Sequence, residues 1–137
     1  GSFYGALASE KNMLDRFLWK NRIILLYAPS AEDSSYQRFV SEIRDDSAGV
    51  WERHLVVFHV FSDGSGREGE NELSTEQVKT LLDRYELNAD TAVAVLIGKD
   101  GGEKARQTGT LNLSALFQKI DAMPMRRREM REQRSSP

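Results

Sequence analysis

The chain has 137 residues, 39% of them hydrophobic and 29% charged, enough for one folded domain with a real core. Its net charge of -2 gives no global field for nucleic acid or a membrane surface, and its apolar runs fall far short of a membrane span. It has no cysteine, which excludes thiol catalysis, disulfides and thiolate metal sites.

In chain order, Gly1-Ser2 reads as a cloning scar and residues 1–8 as a flexible leader. Ser9 is placed to cap a short helix carrying Met13, Leu14, Phe17 and Leu18. "NRIILLYA", 21–28, is an unrelieved apolar run of strand length, the pattern of a central strand covered on both faces. Ser30 with Asp33 resembles a capping box, with Asp in place of Glu. Tyr36, Phe39, Val40 and Ile43 follow at helical spacing, and Asp45, Asp46 and Gly49 end that helix. "HLVVFHVF", 54–61, is the second strand. The Gly-rich, charged stretch 62–72 reads as a mobile loop. Ser74 and Gln77 form a capping box before the stripe Val78, Leu81, Leu82 and Tyr85. "TAVAVLIG", 91–98, is the third strand, "KDGG" a tight turn, and the polar "EKARQTG", 103–109, an edge strand. Asn112 caps a last helix with Leu113, Leu116, Phe117 and Ile120 inward. This divides the chain into a domain over 9–123 and a basic C-terminal segment over 124–137.

The order α-β-α-β-α-β-β-α predicts a thioredoxin-like α/β fold: a four-stranded mixed sheet, ordered 54–61, 22–28, 91–98, 103–109, with helices on both faces. Leu25, Leu26, Phe39, Val57, Val95, Ile97 and Phe117 are the expected core.

Two resemblances bear on this. "VLIGKDGGEKARQTGTLNLSALFQKID" looks like the closing half of a thioredoxin. That alignment puts the redox pair on Ala31 and Ser34 and the family's cis-proline near Val93, so it implies the scaffold without its chemistry. "FLWKNRIILLYAPS", "ERHLVVFHV", "VLIGKDGGEK" and "IDAMPMRRREM" together resemble the P-DUDES family, over residues 14–131. That family is a domain of unknown function shared by bacterial proteins, equarin and the sushi-repeat proteins. The resemblance implies a thioredoxin-like fold, export to the periplasm or outside the cell, and matrix or adhesion roles in animal members. The single short domain is nearer to bacterial members. No catalytic residue is established for the family, and none is assigned here.

The candidate ligand corner is Pro29, Ser30, Asp33, Ser34 and Tyr36, where a thioredoxin carries its reactive group. The alternative there is a well-capped helix. Ser34 and Ser35 would need a base to act as nucleophiles, and neither histidine is near in sequence. His54 and His59, five apart on one strand, point to opposite faces and cannot share a metal. The carboxylates of 62–72 do not fit a calcium loop, because Arg67 stands where an oxygen ligand belongs. No cofactor or metal is implied.

"MPMRRREM" poses the remaining question. Arg126, Arg127, Arg128 and Arg131 are the candidate partner-binding residues, an anion or protein-docking patch if not a solvated basic tail, since guanidinium forks suit carboxylates and phosphates. Asp121 lies at a helix C-terminus, where a carboxylate is disfavoured, so an arginine of 126–128 is expected to fold back to it, with Met123 and Met125 packed under the turn. The patch is too small for more than weak, salt-dependent nucleic-acid binding. The reading is a non-catalytic exported domain that binds an unknown protein or serves a structural role, as a monomer. The alternative is a cysteine-independent enzyme or small-ligand binder using the 29–36 corner. Thiol-disulfide oxidoreductase activity is excluded on chemical grounds.

Overall fold

The computed structural model describes residues 13–135, so the expected leader and the Ser9 cap lie outside the described residues. The strands are β1 (Arg22–Ala28), β2 (Leu55–Phe61), β3 (Gly66–Glu68), β4 (Asn71–Glu72), β5 (Val93–Ile97) and β6 (Glu103–Thr108). The helices are α1 (Ser34–Asp45), α2 (Ser47–Glu52), α3 (Thr75–Arg84), α4 (Leu113–Asp121) and α5 (Pro124–Ser135). The sheet runs β4-β3-β2-β1-β5-β6. β1 pairs parallel with β2 and antiparallel with β5, and β6 is antiparallel to β5. A parallel βαβ unit beside an antiparallel ββα unit is the thioredoxin-like arrangement expected from the sequence.

All seven residues of β1 are buried. Ile24, Leu26 and Ala28 face a layer with Phe39 of α1 and Leu116, Phe117 and Ile120 of α4. Ile23, Leu25 and Tyr27 face the opposite layer, with Val78, Leu81 and Tyr85. This double cover explains why the run lacks alternation. Of the expected core, six residues are buried, and Val57 is half-buried against the α1 side.

The sheet has six strands rather than four, because residues 62–72 form a hairpin and not a loop. Gly66 makes it possible: a Cβ there would lie 2.6 Å from the His59 carbonyl oxygen, so only glycine lets β3 reach β2. Asp33, not Ser30, caps α1, accepting the Tyr36 N–H at 2.9 Å. Asp46 ends α1 and caps α2, a second short helix where the sequence suggested only a stop. Gly49 sits inside α2, since a Cβ there would meet Phe117 at 2.8 Å.

Phe39 is fully buried, and Phe117 carries the Arg53 guanidinium over its ring, 4.0 Å from the centroid. Phe39→Ala and Phe117→Ala are expected to cost about 3–5 kcal/mol each in urea unfolding. Losses below about 1 kcal/mol at both would mean these helix faces do not hold the core.

Candidate functional site

The two ends of the central strands carry the polar chemistry. At the carboxyl end, β1 finishes at the buried Ala28, and Ser62, just past β2, donates its hydroxyl to the Pro29 carbonyl at 2.6 Å. The Tyr36 hydroxyl lies 2.8 Å from Nδ1 of the buried His59, and its ring meets Phe61 edge-on at 5.1 Å. The β2–β3 register sets Arg67 opposite His59, which brings its positive charge near the Tyr36 phenol, while its guanidinium donates to the Gly69 carbonyl at 2.8 Å. Tyr36 and His59 share this one hydrogen bond, whose direction follows the imidazole tautomer. Burial, reinforced by Arg67, pushes His59 down to about 4, and burial pushes the Tyr36 phenol up.

Of the candidate corner residues, Asp33 and Tyr36 are thus tied into the fold. Pro29 is held through its carbonyl, and Ser30 Oγ accepts the Glu32 N–H at 3.3 Å. Ser34 is exposed, and the imidazole on this side of the sheet is already engaged with Tyr36. Val93 lies within β5, and no peptide bond among the described residues is cis. On the other side of Ser62 a groove of about 650 Å³ is lined by Tyr27, Leu82, Asp83, Glu86 and Asn88. Tyr27 donates its hydroxyl to the Ala89 carbonyl there, at 2.7 Å.

At the amino end the groups are ionic. Arg22, the first residue of β1, is 1% exposed. Its Nη1 and Nη2 donate to the two carboxylate oxygens of Glu129, both at 3.1 Å, and Nη1 also reaches the Arg53 carbonyl. Lys99 Nζ donates to Glu129 Oε2 at 2.7 Å and to His54 Nδ1 at 2.8 Å. Arg126, also 1% exposed, donates to Asp121 Oδ1 at 3.2 Å and to the Glu52 carbonyl at 3.1 Å, and pairs with the Glu52 carboxylate. Arg53 forks onto Asp121 at 3.0 and 2.9 Å. Burial alone would raise the Glu129 carboxyl, but hydrogen bonds from Arg22 and Lys99 outweigh it and hold it below the usual range. Asp121 is held low in the same way by Arg53 and Arg126. Burial, then the neighbouring Lys99 charge, push His54 down. The network fixes strained backbone as well: Trp19 and His54 have φ of 64° and 55°, and each is tied by a backbone bond to Lys99 or Arg22.

Arg126 therefore does fold back to Asp121, and Met123 packs half-buried on the core. Being enclosed, Arg126 presents no surface to a partner, while Arg127, Arg128 and Arg131 are exposed. Arg22, Arg53, Lys99 and Glu129 were not singled out from the sequence. The one available signal was a charged residue heading an otherwise apolar strand.

Removing Glu129 leaves two buried cations facing each other. Glu129→Ala is expected to cost about 3–5 kcal/mol, against less than about 0.5 kcal/mol for Arg128→Ala. Arg22→Met with Glu129→Leu should recover part of that loss, Lys99 still being left without its carboxylate; an additive double variant would show that the pair is not coupled. The histidines set a pH dependence. Each is depressed from 6.5, so as pH falls below that value the unfolded chain binds protons before the native one does. Stability should decline between pH 6.5 and about 4, and further as Glu129 and Asp121 protonate. Urea midpoints across this range check it, and His59→Asn should flatten the profile. An unchanged slope in that variant would remove His59 from the account.

Comparison with known proteins follows the same outline. The family described as "Domain of unknown function (DUF4174)" matches residues 13–129, a span that takes in both ends of the sheet and closes on Glu129. Coiled-coil domain-containing protein 80 of Danio rerio is 24% identical over 143 residues, covering 93% of this chain and 16% of that protein. Sushi repeat-containing protein SRPX of Homo sapiens is 27% identical over 121 residues, covering 86% and 26%. SRPX2 of Homo sapiens is 24% identical over 129 residues, covering 92% and 28%. The chain thus spans between 16% and 28% of the length of these curated relatives. A thioredoxin-fold protein from Helicobacter pylori superposes with a TM-score of 0.47 at 16% identity, over 74% of this chain and 68% of that one. Because the family match runs through most of the sequence, the chain belongs to DUF4174, a domain of unknown function.

Proposed function

We propose that this domain is a non-catalytic binding or structural module, exported from the cell, on a thioredoxin-like scaffold. The observation that carries the reading is the buried Tyr36–His59 hydrogen bond, 2.8 Å long. It fills the carboxyl-end corner, where the thioredoxin layout places a reactive group, with a neutral phenol and a neutral imidazole that satisfy each other. A nucleophile at Ser34 then has no free base beside it. The sushi-repeat relatives and the P-DUDES resemblance support export. Among the described residues no helix is long and apolar enough to cross a membrane, which accords with a domain that does not insert. Recognition of a protein, by a single copy of the domain, is the use this surface supports best.

A second reading has one observation in its favour. The groove beside Tyr27 and Ser62 opens at the carboxyl ends of β1 and β2, the place where open α/β sheets take small ligands.

The two readings separate on the corner itself. Immobilised domain carrying Ser30→Ala and Ser34→Ala is expected to melt like the parent and to retain every protein the parent captures from the secreted fraction of its source. Loss of capture at unchanged melting temperature would favour the ligand corner. Because the chain has no cysteine, it should also leave insulin reduction by dithiothreitol at the buffer rate. Acceleration by the purified domain would overturn the non-catalytic reading.

A further inference from the structure

We infer that the outward face of α5, together with Trp51, docks an acidic segment of a partner protein. This rests on the reading of the domain as a binding module and names the chemistry of what it binds.

α5 has two faces with different work. Arg126 and Glu129 point in and hold the helix to the sheet. Arg127, Arg131 and Arg134 recur at i, i+4 and i+7 and are all exposed, so they form one stripe about 10 Å long. The ion pairs of the amino end engage Arg126 and none of these three.

Helix stability accounts for Arg134, a cation in the last turn, and not for Arg127. The first turn of α5 contains no acidic residue, so its arginines stand at the positive end of the helix dipole. Arg126 is compensated by Asp121 and Glu52. Arg127 is not, and it faces a like charge one turn on at Arg131. Both effects weaken the helix slightly, so an external anion is what the arrangement suits.

An exposed apolar side chain stands at the end of α2, the element that meets α5. Trp51 is 84% exposed and is next in the chain to Glu52. Glu52 receives Arg126 through both its carbonyl and its carboxylate, which brings the end of α2 against α5. Where they meet, Glu52, Met130, Gln133 and Arg134 line a depression of about 280 Å³. Tryptophan and arginine are the side chains that most often dominate protein interfaces. The occupant that fits is a segment with spaced carboxylates for the guanidinium forks and one apolar side chain for the depression. The depression takes a neutral side chain between the guanidinium contacts, which a protein segment can place there and a uniformly charged polymer, a sulfated polysaccharide or a nucleic acid, does not offer.

The test uses the whole chain with Trp19→Phe, which leaves Trp51 as the single tryptophan. The probe is a tryptophan-free peptide of glutamates with leucine at every fourth position, matching the 12 residues of α5. At low salt, Trp51 emission should change saturably. Arg127→Ser with Arg131→Ser and Arg134→Ser should weaken binding at least about tenfold without lowering the melting temperature, and so should replacing the peptide's leucines by serine. No saturable change, or equal binding by the triple variant, overturns the proposal. Heparin binding as tightly as the peptide also overturns it, by making the face a plain anion patch. The corner variants do not touch α5, so capture that survives there beside a negative result here removes this docking face and leaves the binding module standing.

Discussion

One carboxylate holds the lower end of this fold together. Arg22 opens the central strand, and every other residue of that strand is apolar and covered. A guanidinium in that position must find a counter-charge inside the protein, since an unpaired buried cation costs several kcal/mol. The counter-charge is Glu129, 107 residues further along the chain. Lys99 shares the same carboxylate, and His54 completes the shell as a neutral acceptor. Asp121 repeats the pattern one turn away, with Arg53 and Arg126. Such a network adds little over a well-packed apolar plug of the same shape. What it supplies is position: α5 is satisfied in one docking pose, and any slip along its axis strands a cation.

The carboxyl end of the same strands is closed by opposite means. There the buried polar groups are uncharged, and Tyr36 and His59 satisfy each other through one hydrogen bond. A thioredoxin-like scaffold presents a helix N-terminus at this corner, suited to an anion. Here the Asp33 side chain takes that role as a cap, accepting the Tyr36 N–H. An ionic clamp at one end and a neutral lock at the other leave the sheet little freedom at either edge of β1, and the exposed chemistry is displaced onto helices.

What could be read beforehand follows the strength of local patterning. The runs at 22–28, 55–61 and 93–97 and the stripes of α1, α3 and α4 were legible because burial imposes an apolar period on each. The hairpin of β3 and β4 was not, because "REGENE" lies at the sheet edge and has no apolar face to reveal it. α2 was hidden by Asp46, which ends one helix and caps the next, and by a glycine that packing against Phe117 demands. The need of Asp121 for a cation was legible from helix electrostatics alone. Which arginine would answer was not, since the inward face of α5 is decided by Glu129, and Glu129 by Arg22, a pairing no local pattern encodes. At the corner, the tyrosine was legible as helical core, but its tie to His59 depends on the register of two strands.

The end of α4 and the whole of α5 therefore carry two sets of charges that composition cannot separate. Asp121, Arg126 and Glu129 are the clamp, and all three lie within the span matched by the family. Arg131 and Arg134 lie beyond that span, on the outer face of the same helix. A helix anchored on one side by buried charge can change the residues on its other side at a cost of a few tenths of a kcal/mol. The anchoring is set by buried partners, so substitutions on the outer stripe leave the clamp and the sheet beneath it undisturbed.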